Sequence, residues 1–351
     1  MPATDSLPHP YRYQFADNAK ALGILLVVLG HARGISAWMV DLIFSFHIPL
    51  FFFLSGFLLK PDRLAESMAG CWRRVAKNLL IPYLVFFAIA YVYWLATRHI
   101  GIKAALFGDL HWFDPLMGLV TGIGSKLYID TPLWFFPCLI STVLIYHLAR
   151  HFIDSGSALF FFNMTALLAI ILSPLVDDRL PWGLDNMWVA LAFYAVGQAC
   201  REKWYEVQRW FQLSTRVKLL SMLAVAVAWS VLALFNGRVD LNSMQFGKEI
   251  LLYLPIAYAG TAGLLMLSSL LPATRALRWI SDNALVIFPL HMLVFSVARG
   301  GLVTLKIVAA DYHYTIVWAL ALTALAILVA VPAARVMRIL LPGTFIRRAG
   351  A

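Results

Sequence analysis

Charge is what this sequence lacks most. Only 13% of its 351 residues are Asp, Glu, Lys or Arg, against 62% that are apolar. A soluble domain carries about 25% charged residues to cover its water-facing surface, so this composition excludes one. Cysteine is equally scarce: Cys71, Cys138 and Cys200 have neither paired nor metal-like spacing, which excludes a disulfide framework and leaves them as packing residues. No His-x-x-x-His or Glu-x-x-His pair lies within any one of the charge-free apolar stretches, so no metal site is expected. The N-terminus lacks the order of basic region, short apolar run and small-residue cut site of a cleavable signal, and the first helix is expected to direct insertion itself. Internal repeats, low-complexity segments and paired interrupted helices are absent as well.

What is there is apolar sequence in long blocks. The stretches 42–59, 78–97, 131–149, 155–176, 219–237, 250–274 and 312–334 contain no charged residue. A helix needs about 20 such residues to cross a hydrocarbon core, whereas a barrel strand needs about ten in strict alternation, which is not seen. Three shorter windows, 21–32, 186–200 and 283–298, reach spanning length when interfacial residues are added. The expectation is an all-α polytopic membrane protein, a single domain over 1–351 with about ten transmembrane helices in one bundle.

The net charge of +10 is informative through its distribution. It points to the membrane surface and not to nucleic acid. With ten spans, 19 of the 28 Lys and Arg fall on the side of the N-terminus, of 60–77, of 201–218 and of the tail. By the positive-inside rule both termini face the cytoplasm, with 1–16 and 340–351 as cytoplasmic segments. The longest outward loop is then 99–130, whose aromatic content suggests an ordered roof, although a plain connection between distant helix ends fits equally well.

Ionisable groups inside the membrane are costly and mark candidate chemistry. The first helix carries Asp17, Lys20 and His31. At about 100° per residue, the eleven-residue interval returns Lys20 and His31 to nearly one face and separates them by about 16 Å. Asp17 lies on the adjoining strip and can pair with Lys20. His47 precedes Pro49 on the returning second helix, at a depth similar to His31, so the two imidazoles can share a cavity. His291, after Pro289, adds a third near mid-depth. Each of the three also fits a bland reading, an imidazole satisfied by a neighbouring hydroxyl or carbonyl. At the opposite end Arg73, Arg74 and Lys77 cluster where phosphates or anionic lipid heads would be met, though ordinary basic anchoring explains such a loop too. Trp112, Trp134 and Trp182 are candidates to stack on a sugar ring; interfacial anchoring is the plainer role.

Several of these runs recur together in a known order. Asp17-x-x-Lys20-x10-His31 ending in Val-Val-Leu-Gly-His, Phe-x-x-x-Ser-Gly-Phe at 51–57, the basic cluster before Leu-Ile-Pro-Tyr at 80–83, Pro-Leu-Trp-Phe at 132–135 and Ser281-x9-His291 resemble the acyltransferase-3 family of integral membrane O-acyltransferases. Within it the chain is most similar to the fucose-4-O-acetylase-type branch that decorates bacterial exopolysaccharides, xanthan-like polymers included. Many members of the family have Arg where Lys20 stands here. The resemblance implies a multi-pass protein of the bacterial inner membrane that moves an acetyl group from acetyl-CoA to a sugar hydroxyl of an exopolysaccharide or its lipid-linked oligosaccharide precursor. It makes His31 the catalytic imidazole, with His47 and His291 in support. It makes Lys20, Arg73, Arg74 and Lys77 the donor-binding cations, while Asp17 and Trp134 remain candidates on the substrate side. The same intramembrane residues also fit a polytopic transporter or flippase, in which they would relay protons or a small anionic substrate, and nothing readable in the sequence separates acetyl-CoA from succinyl-CoA.

Overall fold

The computed structural model describes residues 13–309 and 312–345. The predicted N-terminal segment therefore falls outside the described residues up to Arg12, and the predicted tail does so from 346 onward. In chain order the helices are α1 (Gln14–His31), α2 (Ala37–Phe44), α3 (His47–Phe57), α4 (Met68–Val75), α5 (Ile81–Thr97), α6 (Ile102–Phe107), α7 (Asp114–Thr121), α8 (Phe135–Ala149) and α9 (Ser155–Leu172). They continue as α10 (Asn186–Glu202), α11 (Trp204–Val207), α12 (Thr215–Asn236), α13 (Tyr253–Leu270), α14 (Arg275–Asp282), α15 (Ala284–Thr304), α16 (Ile316–Leu340) and α17 (Pro342–Phe345). A two-residue ribbon, β1 (Val239–Asp240) and β2 (Gln245–Phe246), interrupts the helices with antiparallel pairing of Val239 to Phe246 and Asp240 to Gln245.

Among the described residues eight helical segments are long and apolar enough to cross a membrane. The protein is an all-helical polytopic membrane protein with one small ribbon between α12 and α13. The two remaining long helices, α1 and α10, carry more polar side chains and lie in the middle of the bundle, where Asn18 and Gln198 are buried. This inverts the usual reading of hydropathy: the most central helices are the least hydrophobic, because packing against protein and not lipid satisfies their polar groups.

Boundaries differ from expectation where packing overrides composition. The window 21–32 extends back to Gln14, because α13 accepts the polar first turn: Asn18 Nδ2 donates to the carbonyls of Ser268 and Leu271 at 3.1 and 3.0 Å. The expected second span is broken into α2 and α3. Pro49 cannot donate to the Ser45 carbonyl, and the chain bends at Phe46, whose φ is −146°. Ser45 Oγ donates to Leu42 O and accepts from Trp229 Nε1 at 3.0 Å, which fixes the bend. The expected loop 99–130 is ordered, with α6 and α7 inside it; Tyr83 and Tyr91 donate to the carbonyls of Leu119 and Trp112 and hold it down.

Small residues set the helix crossings. A Cβ on Gly56 would lie 2.1 Å from Tyr194 O, and one on Gly197 would lie 2.1 Å from Phe53 O, so α3 and α10 touch backbone to backbone through a reciprocal glycine pair. Ala319, Ala326, Ala330 and Ala334 form the buried stripe of α16, with Val317, Leu320, Leu328 and Ile339 exposed on its other side. Lipid tails cover such a face as readily as protein does.

Two ends of the bundle result. Helix α1 begins beside the ends of α3, α10 and α13: Phe15 stacks on Trp204 with centroids 5.5 Å apart, and Gln14 donates to Leu271 O. This end carries the basic cluster on α4 and the 201–218 segment and is called the basic face below. At the opposite face α1 ends at His31, under the loops that contain α6, α7, the ribbon, 305–309 and 312–315.

Candidate active site

Three histidines far apart in sequence meet near the opposite face. The rings of His31 and His291 lie 5.3 Å apart between centroids, tilted by 36°. Phe44 bridges to the third: its ring is 5.4 Å from His31 and 4.7 Å from His47, edge-on to both. His47 and His291 are buried, at 2% and 0% exposure, while His31 is half-buried. His31, His47 and His291 thus form one cluster around Phe44.

The hydrogen bonds fix two tautomers. His47 Nδ1 lies 2.8 Å from Ile43 O, and His291 Nδ1 is bonded to Phe288 O. A carbonyl only accepts, so Nδ1 carries a proton in each ring, which in the neutral imidazole leaves the lone pair on Nε2. Among the described residues the buried Nε2 of His291 has no hydrogen-bond partner. The arrangement supplies neutral imidazole nitrogen in a dry place, which is the form that takes a proton from a hydroxyl.

The sequence reading missed the groups that face this cluster from the ribbon. Arg238 stands with its guanidinium carbon 3.8 Å above the Phe44 ring. Both Arg238 and Asp240 act electrostatically on His31, and Arg238 acts on His47 too. Asn236 holds the ribbon in place: its Nδ2 donates to Phe246 O and its Oδ1 accepts from Glu249 N, each at 2.8 Å. The network continues outward. Asp240 Oδ1 accepts from Asn242 N at 3.0 Å, Asn186 Nδ2 donates to Asn242 O at 3.4 Å, and Arg179 is bonded to Asn186 and lies 2.8 Å from Asp185. Burial pulls the Arg179 guanidinium below its ordinary value, and the Asp185 and Asp240 carboxylates oppose that pull. In sequence Arg238 and Asp240 were only two charges in a short loop; the pattern Arg-Val-Asp-Leu-Asn was a signal, but nothing local tied it to His31.

Two residues beyond His31 lies a polar cavity of about 450 Å³, bordered by Arg33, Ser36, Tyr312, His313 and Tyr314. Gly34 makes its wall possible: its φ is +108°, and a Cβ there would sit 2.1 Å from Thr315 O.

The tryptophans are placed differently from one another. Trp134 is 7% exposed, in the turn that leads into α8, edge-on to Phe135, which in turn packs on Phe288 one turn from His291. Trp182 is committed to structure through Nε1 donation to Val120 O at 3.0 Å, and Trp112 is exposed.

At the basic face, Asp17 accepts from Ser281 Oγ at 3.1 Å, which joins α1 to α14, and Lys20 lies half-buried one turn further along α1. Arg74 is tied to Glu66, with Nε and NH2 2.8 and 2.6 Å from Oε1, while Arg73 and Lys77 are exposed. Lys77 lies in a π-helical turn, Ala76–Leu80, and its Nζ borders Gly343 of α17. That turn follows from Pro82, whose missing N–H lets the helix wind wide, and such turns recur at functional sites. The structure thus brings His31, His47 and His291 together, and it places the four cations at the other end of α1, on α4 and in the π-helical turn after it, with Arg74 already partnered.

A family model described as an acyltransferase domain matches residues 13–335, from the start of α1 into α16. No curated protein and no solved structure matches.

Proposed function

Since the chain belongs to that acyltransferase family and is a multi-pass membrane acyltransferase, we propose that it transfers an acetyl group from acetyl-CoA to a sugar hydroxyl of an exopolysaccharide or of its lipid-linked precursor. The observation that carries this reading is the single polar line along α1: Lys20 near the basic face, His31 in the imidazole cluster, about 16 Å apart on one helix. Coenzyme A is a polyanionic head on a long thin arm. Its phosphates suit a basic mouth formed by Lys20, Arg73, Arg74 and Lys77, and the arm delivers the thioester at a distance from that mouth. For such a donor the basic face is cytoplasmic, as are both termini, α1 and α10 span together with the other eight segments, and the membrane is the bacterial inner membrane.

In the step itself, a nitrogen of His31 takes the proton of the acceptor hydroxyl as its oxygen forms the new ester bond to the thioester carbonyl. The C–S bond breaks, the proton passes from the imidazolium to the departing thiolate, and coenzyme A leaves as the free thiol. General-base help of this kind contributes about 10²–10⁴-fold. His291 and His47 support His31 as neutral neighbours that do not compete for its charge. Arg238 and Asp240 act on the same ring, and the polar cavity of Arg33, Ser36 and Tyr312 begins two residues beyond it; both support an acceptor that arrives at the opposite face. Asp240 is suited to accept from sugar hydroxyls and Trp134 to border the acceptor's path.

The test is deletion of the gene followed by analysis of ester groups on the surface and secreted glycans of the cell. Loss of one acetyl ester, restored by the wild-type chain and not by His31→Ala, is expected. Unchanged esters in the deletion strain overturn the proposed acceptor, and a lost succinyl in place of an acetyl ester corrects the donor.

A further inference from the structure

A second cavity, of about 480 Å³, is lined by none of the residues assigned to the transfer chemistry. Phe53 and Phe57 of α3, Cys200 of α10 and Ala262 of α13 are among its walls, and Trp210 and Phe211 belong to it from the surface segment after α11. Along α13 it runs from Met266 to Tyr258, about 12 Å of helix. At its deep end Tyr258 donates to Asn163 Oδ1 at 2.6 Å, so those two polar groups satisfy each other and close the space between α13 and α9. The walls are otherwise almost wholly apolar, apart from the hydroxyl of Thr261.

The mouth has the opposite character. Arg201 stands over Phe57, its guanidinium carbon 6.0 Å from the ring centroid, and the Nζ of Lys218 stands 5.8 Å from that of Trp210. Both rings belong to the cavity wall, so each cation lies within 6.0 Å of a wall ring, and Arg201 also stands 4.5 Å from the ring of Tyr13. Lys218 uses one donor on Phe211 O at 2.6 Å and keeps two. The indole Nε1 of Trp210 is buried and, among the described residues, has no acceptor. An apolar slot capped by two cations and an unused N–H donor matches a molecule with a hydrocarbon chain, ester or phosphate oxygens and negative charge.

We propose that this cavity is a binding site for an anionic glycerophospholipid of the leaflet at the basic face: one acyl chain fills the slot to Tyr258, and the phosphodiester is held by Arg201 and Lys218 with Trp210 donating to an oxygen. The site is independent of the donor and acceptor assignments. Its occupant would brace the segment 203–212, which otherwise rests on the bundle through the aromatic cluster of Phe15, Trp204 and Phe211.

The experiment is native mass spectrometry of the purified full chain in a neutral detergent, after incubation with phosphatidylglycerol or with phosphatidylcholine of the same acyl chains. One retained phosphatidylglycerol, favoured about tenfold over phosphatidylcholine, is expected. Ala262→Trp, which fills the slot, removes the retained lipid. Arg201→Gln with Lys218→Gln, placed at the rim, brings the two lipids to parity without touching the interior. His31→Ala retains phosphatidylglycerol as the wild type does, which keeps this test apart from that of the transfer chemistry. Equal retention of both lipids by the wild type, or full retention by the doubly substituted rim, overturns the proposal.

Discussion

His31 and His291, 260 positions apart in the sequence, hold their rings 5.3 Å from one another at the end of α1. Two neutral rings at that distance have different tasks in the proposed reaction, and substitution separates them. His31→Ala should abolish ester formation in membranes that still contain inserted, correctly folded chain. His291→Ala should leave donor binding intact and lower kcat by about 10- to 100-fold, as a supporting ring does. Measured transfer from labelled acetyl-CoA is the check; full activity of His31→Ala would falsify the base assignment.

At the basic face the prediction concerns Arg74 and its partner Glu66, which is 14% exposed against 23% for the arginine. Removing the guanidinium leaves the half-buried carboxylate only its longer contact with the exposed Arg63, at 3.4 Å, so Arg74→Ala should cost stability, about 1–2 kcal/mol. Arg73→Ala and Lys77→Ala, at exposed positions, should leave thermal stability in place and raise the KM for acetyl-CoA several-fold. Thermal unfolding and donor titration on the same variants distinguish the two effects. Equal KM for all three variants and the wild type removes the phosphate role.

The ribbon offers a test on the acceptor side. Asn236 is fully buried and both ends of its amide are bonded. Asn236→Ala strands a carbonyl and an N–H, at about 1–3 kcal/mol, and loosens the strand that carries Arg238 and Asp240. Transfer should fall while the KM for acetyl-CoA stays as in the wild type. Asp240→Asn should show the same kinetic pattern with unchanged stability, and a raised donor KM in either variant contradicts the placement.

Asp130, one residue ahead of the membrane-crossing segment Thr131–Ala149, gives a pH prediction. Its carboxyl is 1% exposed and, among the described residues, neither oxygen has a hydrogen-bond partner; burial pushes its pKa well above the usual carboxylate range. The folded state therefore binds a proton that the unfolded state has lost above its ordinary value near 3.9. Stability declines as pH rises from that value and goes on declining until the folded carboxyl itself ionises. Asp130→Asn, the neutral mimic, should flatten this slope in thermal unfolding scans between pH 5 and about 9. A slope identical to that of the wild type places the titration elsewhere.

Gly56 and Gly197 should tolerate no side chain. Alanine at either position puts a Cβ 2.1 Å from a backbone carbonyl oxygen of the facing helix, where neither atom belongs to a flexible side chain. Gly56→Ala or Gly197→Ala should separate α3 from α10 and sharply reduce the yield of monodisperse protein after detergent extraction. Wild-type yield and thermal midpoint would contradict the crossing.

Membrane residence, helical class and the polar line of α1 were legible in the sequence, because each follows from local quantities: the charge-free run that hydrocarbon requires and the 3.6-residue period that aligns Lys20 with His31. The candidate imidazoles could be named for the same reason, since an ionisable group amid apolar residues is visible without a neighbour. Which of them meet was decided by tertiary structure. Only in the packed bundle does His291 reach His31, does Arg238 stand over Phe44 and does Glu66 hold Arg74. Partners across helices depend on the distances and rotations at which whole segments pack, and no property of a single segment encodes those.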